Sequence, residues 1–191
     1  MLEPSPELQQ PQPADLPGRF YSAADYHELY KSGKVTPLQV TEALLPLIRR
    51  DVRPQSKYAV AWTQCNADEV LAAAKASTDR WAAGKPLGIL DGVPFGVKDD
   101  IDVKGFVSTM GMKVDPSEGY FNKPSTKTAW PVQMLEEAGA VMMGKLNQHE
   151  IGMGESASGL DPNHVLVANG SLDTTGCNVS IQLVGLNSYL G

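Results

Sequence analysis

The 191-residue sequence predicts an α/β domain, with helices packed on a sheet. Three observations carry that prediction. Two amphipathic helical stretches near the N-terminus are followed by short apolar runs that alternate with further helical stretches. Those apolar runs, in "KYAVAWTQ", "GVPFGVKD" and "AVMMGK", have the length and bounding turn residues of strands. A hydrophobic content of 42% supplies enough apolar surface for one ordinary core.

The elements follow in order. "SAADYHELYKSG" opens on Ser22 as a cap, spaces Tyr26, Leu29 and Tyr30 along one helical face, and stops at Gly33. "TPLQVTEALLPLIRRD" has Thr36 to cap and Pro37 at the first helical position, with Leu38, Val40, Leu44, Leu45 and Ile48 as its apolar face. Pro46 within it predicts a kink or an early end. "KYAVAWTQ" reads as a strand. The following "NADEVLAAAKASTDRWAAGK" is an Ala-rich helix capped by Asn66 and stopped by Gly84. "GVPFGVKD" reads as a buried strand. "PSTKTAWPVQMLEEAGA" reads as a helix with a Ser or Thr cap, Pro131 in its first turn and Gly139 at its exit, and "AVMMGK" as a second buried strand.

Composition removes several classes of function. A net charge of −6 leaves no basic surplus to neutralise a phosphate backbone or an anionic bilayer, so neither nucleic acid nor membrane is expected as a partner. No apolar run approaches the roughly 18 residues that suggest a membrane span, and the N-terminal residues lack a signal-peptide pattern, so the chain is read as cytoplasmic. Cys65 and Cys177 are too few and too far apart for a disulfide framework or a zinc site, so reduced thiols are expected. Without an export signal, the N-x-Ser triplets at Asn169 and Asn178 are expected to be idle.

The segment "DGVPFGVKDDIDVKG" places Lys98 in an apolar run and follows it with Asp99, Asp100 and Asp102. Two readings of Lys98 stand side by side. In one, its stem lies along a strand end and its ammonium pairs with Asp99 or Asp100 near solvent. In the other, burial disfavours the charged form, and the neutral amine accepts a proton from a serine hydroxyl. The three aspartates themselves read as a solvated acidic turn rather than an acid/base pair or a metal cluster.

"GVPFGVKDDIDVKG" resembles the lysine-bearing segment of the amidase signature family. "TAWPVQMLEEAGAVMMGKLNQHEIGMGESASGLDPNH" is similar to the helix, strand and loop that follow it there. The resemblance runs from Ser22 to His164 and corresponds to the N-terminal portion of a family member. It implies a mixed sheet covered by helices, and hydrolysis of a carboxylic amide through a nucleophilic serine, a bridging serine in a cis peptide and a lysine, without metal or cofactor. Lys98 matches the family's catalytic lysine, whose implied role is to draw a proton from the bridging serine. Beyond "GLDPNH" the resemblance stops, at Val165. No "GGSSGG" run appears, and Ser171 in "NGSLD" has neighbours that do not match those of the bridging serine.

The sequence therefore divides into a flexible Pro/Gln-rich arm (1–17), the N-terminal part of an amidase-like domain (18–164) and a divergent tail (165–191). The expectation is a truncated, partial amidase-signature fold, derived from an amide hydrolase and inactive as written, with a small-molecule amide as partner if active. The alternatives are a non-catalytic binding protein of the same descent and a fragment of an active amidase.

Other motifs weigh less. His149 and Glu150 begin a zinc-protease pattern, but Met153 stands where its second histidine is needed. His27 and His164 are isolated, and "GMGESASG" lacks the Gly-Lys-Ser ending of a phosphate loop. Lys145 and Asn147, just after a strand, either help to shape the site or sit in a solvated turn.

Overall fold

A computed structural model describes residues 21–56, 58–112, 121–148 and 181–183. The predicted arm (1–17), His149, Glu150, Met153, His164, Ser171, Cys177 and the two N-x-Ser asparagines lie outside the described residues.

The first helices begin where their caps predict. Helix α1 (Ala23–Lys31) and helix α2 (Pro37–Ile48) each carry a complete capping box, Ser22 with Asp25 and Thr36 with Gln39. Pro46 does not end α2, which runs on to Ile48. Residues Ala59–Ala61 form a 3₁₀ turn, so the strand expected over "KYAVAWTQ" shortens to β1 (Trp62–Gln64). Arg50 donates to the Ala59 and Val60 carbonyls in place of a ladder partner, while Asn147 N–H donates to the Ala61 carbonyl in continuation of the antiparallel pairing of Trp62 with Leu146. Helix α3 (Ala67–Ala82) is capped by Asn66.

After strand β2 (Pro94–Lys98) the chain returns through helix α4 (Trp130–Glu137) to strand β3 (Val141–Leu146). The predicted Ser or Thr cap of α4 is absent: the N-cap position is held by Ala129, whose side chain caps nothing. Thr128 Oγ1 instead accepts from Lys104 N–H, and the bridges Lys104–Ser125 and Val107–Pro124 hold 124–128 as a connector beside the loop after β2. Strand β4 (Ile181–Leu183) pairs antiparallel with β2. The sheet order is β1-β3-β2-β4, with β2 and β3 parallel and both outer pairs antiparallel, which makes the sheet mixed as expected.

Register decides which side chain faces which layer. Pro94 opposes Val141 and Phe95 opposes Met142, but Gly96 opposes Gly144, so Met143 is the extra residue of a bulge. Val141, Met143 and Leu146 pack with Tyr26, Tyr30, Val40, Leu44, Val70 and Trp62 on the face covered by α1–α3. Phe95 and Val97 pack with Val103, Val132 and Ala140 on the other, against which Met142 also lies. Without the bulge, strict alternation would send Leu146 to the wrong layer. Gly144 has φ +150°, and a Cβ there would stand 2.3 Å from the Gln64 carbonyl oxygen, so only glycine lets β1 approach β3 at the bulge.

The segment before β2 is tied down by Asp91, whose side chain is fully buried. Its carboxylate accepts from Ser77 Oγ (2.7 Å), Arg80 Nε (2.9 Å), Arg80 Nη2 (2.6 Å) and Leu87 N–H (2.9 Å). Its own carbonyl accepts from Trp81 Nε1, and the next, that of Gly92, from the Tyr30 hydroxyl. Burial pushes the carboxyl up. The bonds from Arg80, Ser77 and Leu87 outweigh burial and leave it below the ordinary carboxylate range. Among the described residues no helix is long and apolar enough to cross a membrane.

Two outcomes follow. Gly144→Ala should cost about 1–3 kcal/mol more than Gly84→Ala, whose site is open and carries only the left-handed penalty, when the two are compared by urea denaturation. Asp91→Ala should cost on the order of 3 kcal/mol by stranding Arg80 and Ser77. Because the folded carboxyl titrates below its unfolded value, its contribution is complete at neutral pH. It is lost as pH falls through the folded value, so the acid limb of a stability profile should flatten in Asp91→Ala.

Candidate active site

Lys98 is the last residue of β2 and opposes Leu146 across the parallel ladder. Paired residues of neighbouring strands share a face, so Lys98 leaves the sheet on the α1–α3 side, where Gly96 beneath it makes room for Leu146 and Trp62. Its side chain is 21% exposed, and Nζ lies 3.0 Å from Asp100 Oδ2. Among the described residues, Asp100 is the partner of this amine, which is the pairing the first reading of Lys98 anticipated.

Val97 opposes Lys145, and both belong to the opposite face. Lys145 is wholly buried, not solvated in a turn, and this corrects one of the two sequence readings. Its Nζ donates to the Asp99 carbonyl at 3.0 Å, to the Ile101 carbonyl, and to Ser108 Oγ at 3.2 Å. Three ammonium hydrogens meet three acceptors, and Ser108 donates its own proton to Asp102 Oδ1 at 2.9 Å. Burial lowers the pKa of Lys145, while the charges of Asp99, Asp102 and Asp100 act in the opposite sense.

The acidic turn is likewise more than a solvated loop. Asp99 is fully buried, and its Oδ2 accepts from Thr109 N–H (3.0 Å), from the Thr109 hydroxyl and from Gly111 N–H (3.1 Å). It anchors a loop in which Met110 adopts φ 57°. The Gln64 side-chain amide grips the same loop through the backbone of Val107, donating from Nε2 to its carbonyl at 2.6 Å and accepting at Oε1 from its N–H at 3.0 Å. Thr109 and Gly111 line a cleft of about 340 Å³ together with Arg50, Thr63, Gln64 and Asn147. Asp102 stays exposed, as expected.

The remaining sequence candidates take structural places. His27 packs edge-on against Trp81 with ring centroids 5.2 Å apart. Cys65 is half-buried, and burial pushes its thiol up to about 11, which makes it a poor nucleophile at neutral pH. Sequence reasoning missed the clamp made by Lys145; the signal for it was Gly144, since a glycine inside a strand run marks a bulge that resets the faces.

The family model described as Amidase matches residues 43–160, more than half of the chain, and the chain belongs to that family. It is 34% identical over 142 residues to a fatty acid amide hydrolase of Medicago truncatula, covering 73% of this chain and 22% of that protein. A plant relative from rice, the fatty acid amide hydrolase of Oryza sativa subsp. japonica, is 32% identical over 171 residues, covering 86% and 26%. Among solved structures, the native peptide amidase of Stenotrophomonas maltophilia superimposes with a TM-score of 0.55 at 26% identity, over 68% of this chain and 25% of that one. The chain thus spans about a quarter of the length of the relatives it matches.

The lowered pKa of Lys145 gives a signed expectation. A lysine that titrates lower in the folded than in the unfolded chain stabilises the fold progressively as pH rises from the folded value towards the ordinary one near 10.4. Denaturant midpoints measured across that alkaline window should rise for the unsubstituted chain relative to Lys145→Met.

Proposed function

We propose that this chain is the lysine-bearing portion of a hydrolase of carboxylic amides, in which Lys98 is the proton acceptor. The observation that supports this reading is the residue-for-residue match of Lys98 to the family's lysine, together with its place at the end of β2, partly buried on a turn tied down from several sides. In the chemistry the family implies, the neutral amine takes a proton from a bridging serine. That serine takes one from the nucleophilic serine as its oxygen bonds to the amide carbon. The C–N bond then breaks, the amine departs with a proton, and water releases the acyl group.

The serine-rich segment that would supply the two hydroxyls and the oxyanion donors has no counterpart in these 191 residues. By itself, therefore, the chain is proposed to be inactive towards amides. The names of its relatives span fatty acid amides and peptides; the proposal extends to the carboxylic amide class and to no single member of it.

Ammonia release from acetamide and benzamide tests both parts. The 191-residue chain and Lys98→Ala should both stay at background. Turnover that falls about 10²–10⁴-fold in Lys98→Ala would sink the proposed inactivity while supporting the role of Lys98. Turnover indifferent to the substitution would refute that role. Sequencing the transcript and its genomic template from the codon of Asp161 onward supplies the companion measurement. A serine-rich segment in another frame or beyond an intron makes the longer product the hydrolase, and Lys98→Ala should then lower its kcat with KM little changed. If no such segment is found, either a binding role or a decaying gene becomes the better account.

A further inference from the structure

We infer that Lys145 is a positioning residue for Lys98: from the opposite face of the sheet it grips the peptide carbonyls on either side of Asp100, the carboxylate that Lys98 meets. This rests on the reading of Lys98 as the proton acceptor.

The geometry requires little beyond the hydrogen bonds. Nζ of Lys145 donates to the Asp99 and Ile101 carbonyls, which flank Asp100 in sequence. Asp100 Oδ2 in turn lies 3.0 Å from Lys98 Nζ. The two amines stand on adjacent parallel strands, one residue out of register, because Lys98 opposes Leu146 and Val97 opposes Lys145. One lysine therefore approaches the turn from each face. The Asp99 carboxylate, locked onto Thr109 and Gly111, keeps the first of the two gripped residues from rotating away.

A filler side chain would serve the core as well as lysine does, and at lower desolvation cost. What an ammonium adds here is three directed donors, and two of them are spent on the turn that carries Asp100. The bulge at Gly144 is what makes this possible, because it places position 145 on the face of Val97. With the clamp removed, the turn relaxes, Asp100 leaves Lys98, and the nucleophilicity and accessibility of the Lys98 amine change while the fold persists.

Competitive acylation with acetic anhydride, read lysine by lysine by mass spectrometry, tests this on the 191-residue chain without requiring turnover. In Lys145→Met, Lys98 should acylate about threefold faster at pH 8, the scale expected for loss of one part-exposed ion pair, while Lys34 and Lys85 keep their rates. A Lys98 rate–pH profile that superimposes on that of the unsubstituted chain, with a cooperative thermal transition retained, overturns the inference. A second measurement needs no variant. In the unsubstituted chain Lys145 should acylate at least about tenfold more slowly than the exposed Lys34 and Lys85, since burial and three bonds hold its amine; equal rates overturn the clamp directly. The two readings fail separately. An unchanged Lys98 profile sinks the clamp and leaves the proton-acceptor role intact, whereas hydrolysis indifferent to Lys98→Ala sinks that role and leaves the labelling result standing.

Discussion

The carboxylate of Asp91 is the constraint on which the rest of this structure depends. It collects four hydrogen bonds from α3 and the loop before β2, and the two carbonyls beside it are held by Trp81 and Tyr30. The next peptide groups then pass straight into the sheet: Gly92 N–H donates to Gly139 and Val141 N–H to Val93. A buried charge of this kind is a weak source of net stability, because desolvation offsets most of its attraction to Arg80. Its value lies in register. Once Asp91 is fixed, β2 can meet β3 in one alignment, and the side chains of both strands are assigned to their layers.

Register then places the chemistry. Lys98 and Lys145 sit next to each other on a parallel pair yet project to opposite faces, and both end on the same short acidic turn. Three aspartates that look alike in sequence take three different roles there. Asp99 is buried and organises the 109–111 loop, Asp100 meets Lys98, and Asp102 accepts from Ser108 near solvent. Their environments separate them: the first is enclosed by backbone donors, the second by one amine, and the third by water and a hydroxyl.

The lysine, its turn and the loop that Asp99 anchors form one connected unit within this chain. In the described residues Lys98 is paired with an aspartate. A proton-accepting amine must be neutral when it acts, so exchange of this carboxylate for a serine hydroxyl is the event that the proposed chemistry demands.

Local signals were enough for the α/β class, the caps at Ser22, Thr36 and Asn66, the stops at Gly33 and Gly84, and the two strands that form the parallel pair. Each depends on a few neighbouring residues whose backbone preferences agree. The motif around Lys98 was legible for the same reason, as a contiguous run. What only the tertiary structure decided depends on partners far apart in the chain. Ala59–Ala61 forms a 3₁₀ turn whose first two carbonyls are met by the Arg50 side chain, a partner no local pattern announces. Helix α4 lost its expected cap because Thr128 was engaged by Lys104. The burial of Lys145 and Asp99 followed from a bulge and a loop whose partners lie 46 and 10 residues away. A charged residue in sequence looks solvated by default, and only the arrival of distant backbone acceptors and donors makes it possible to bury one.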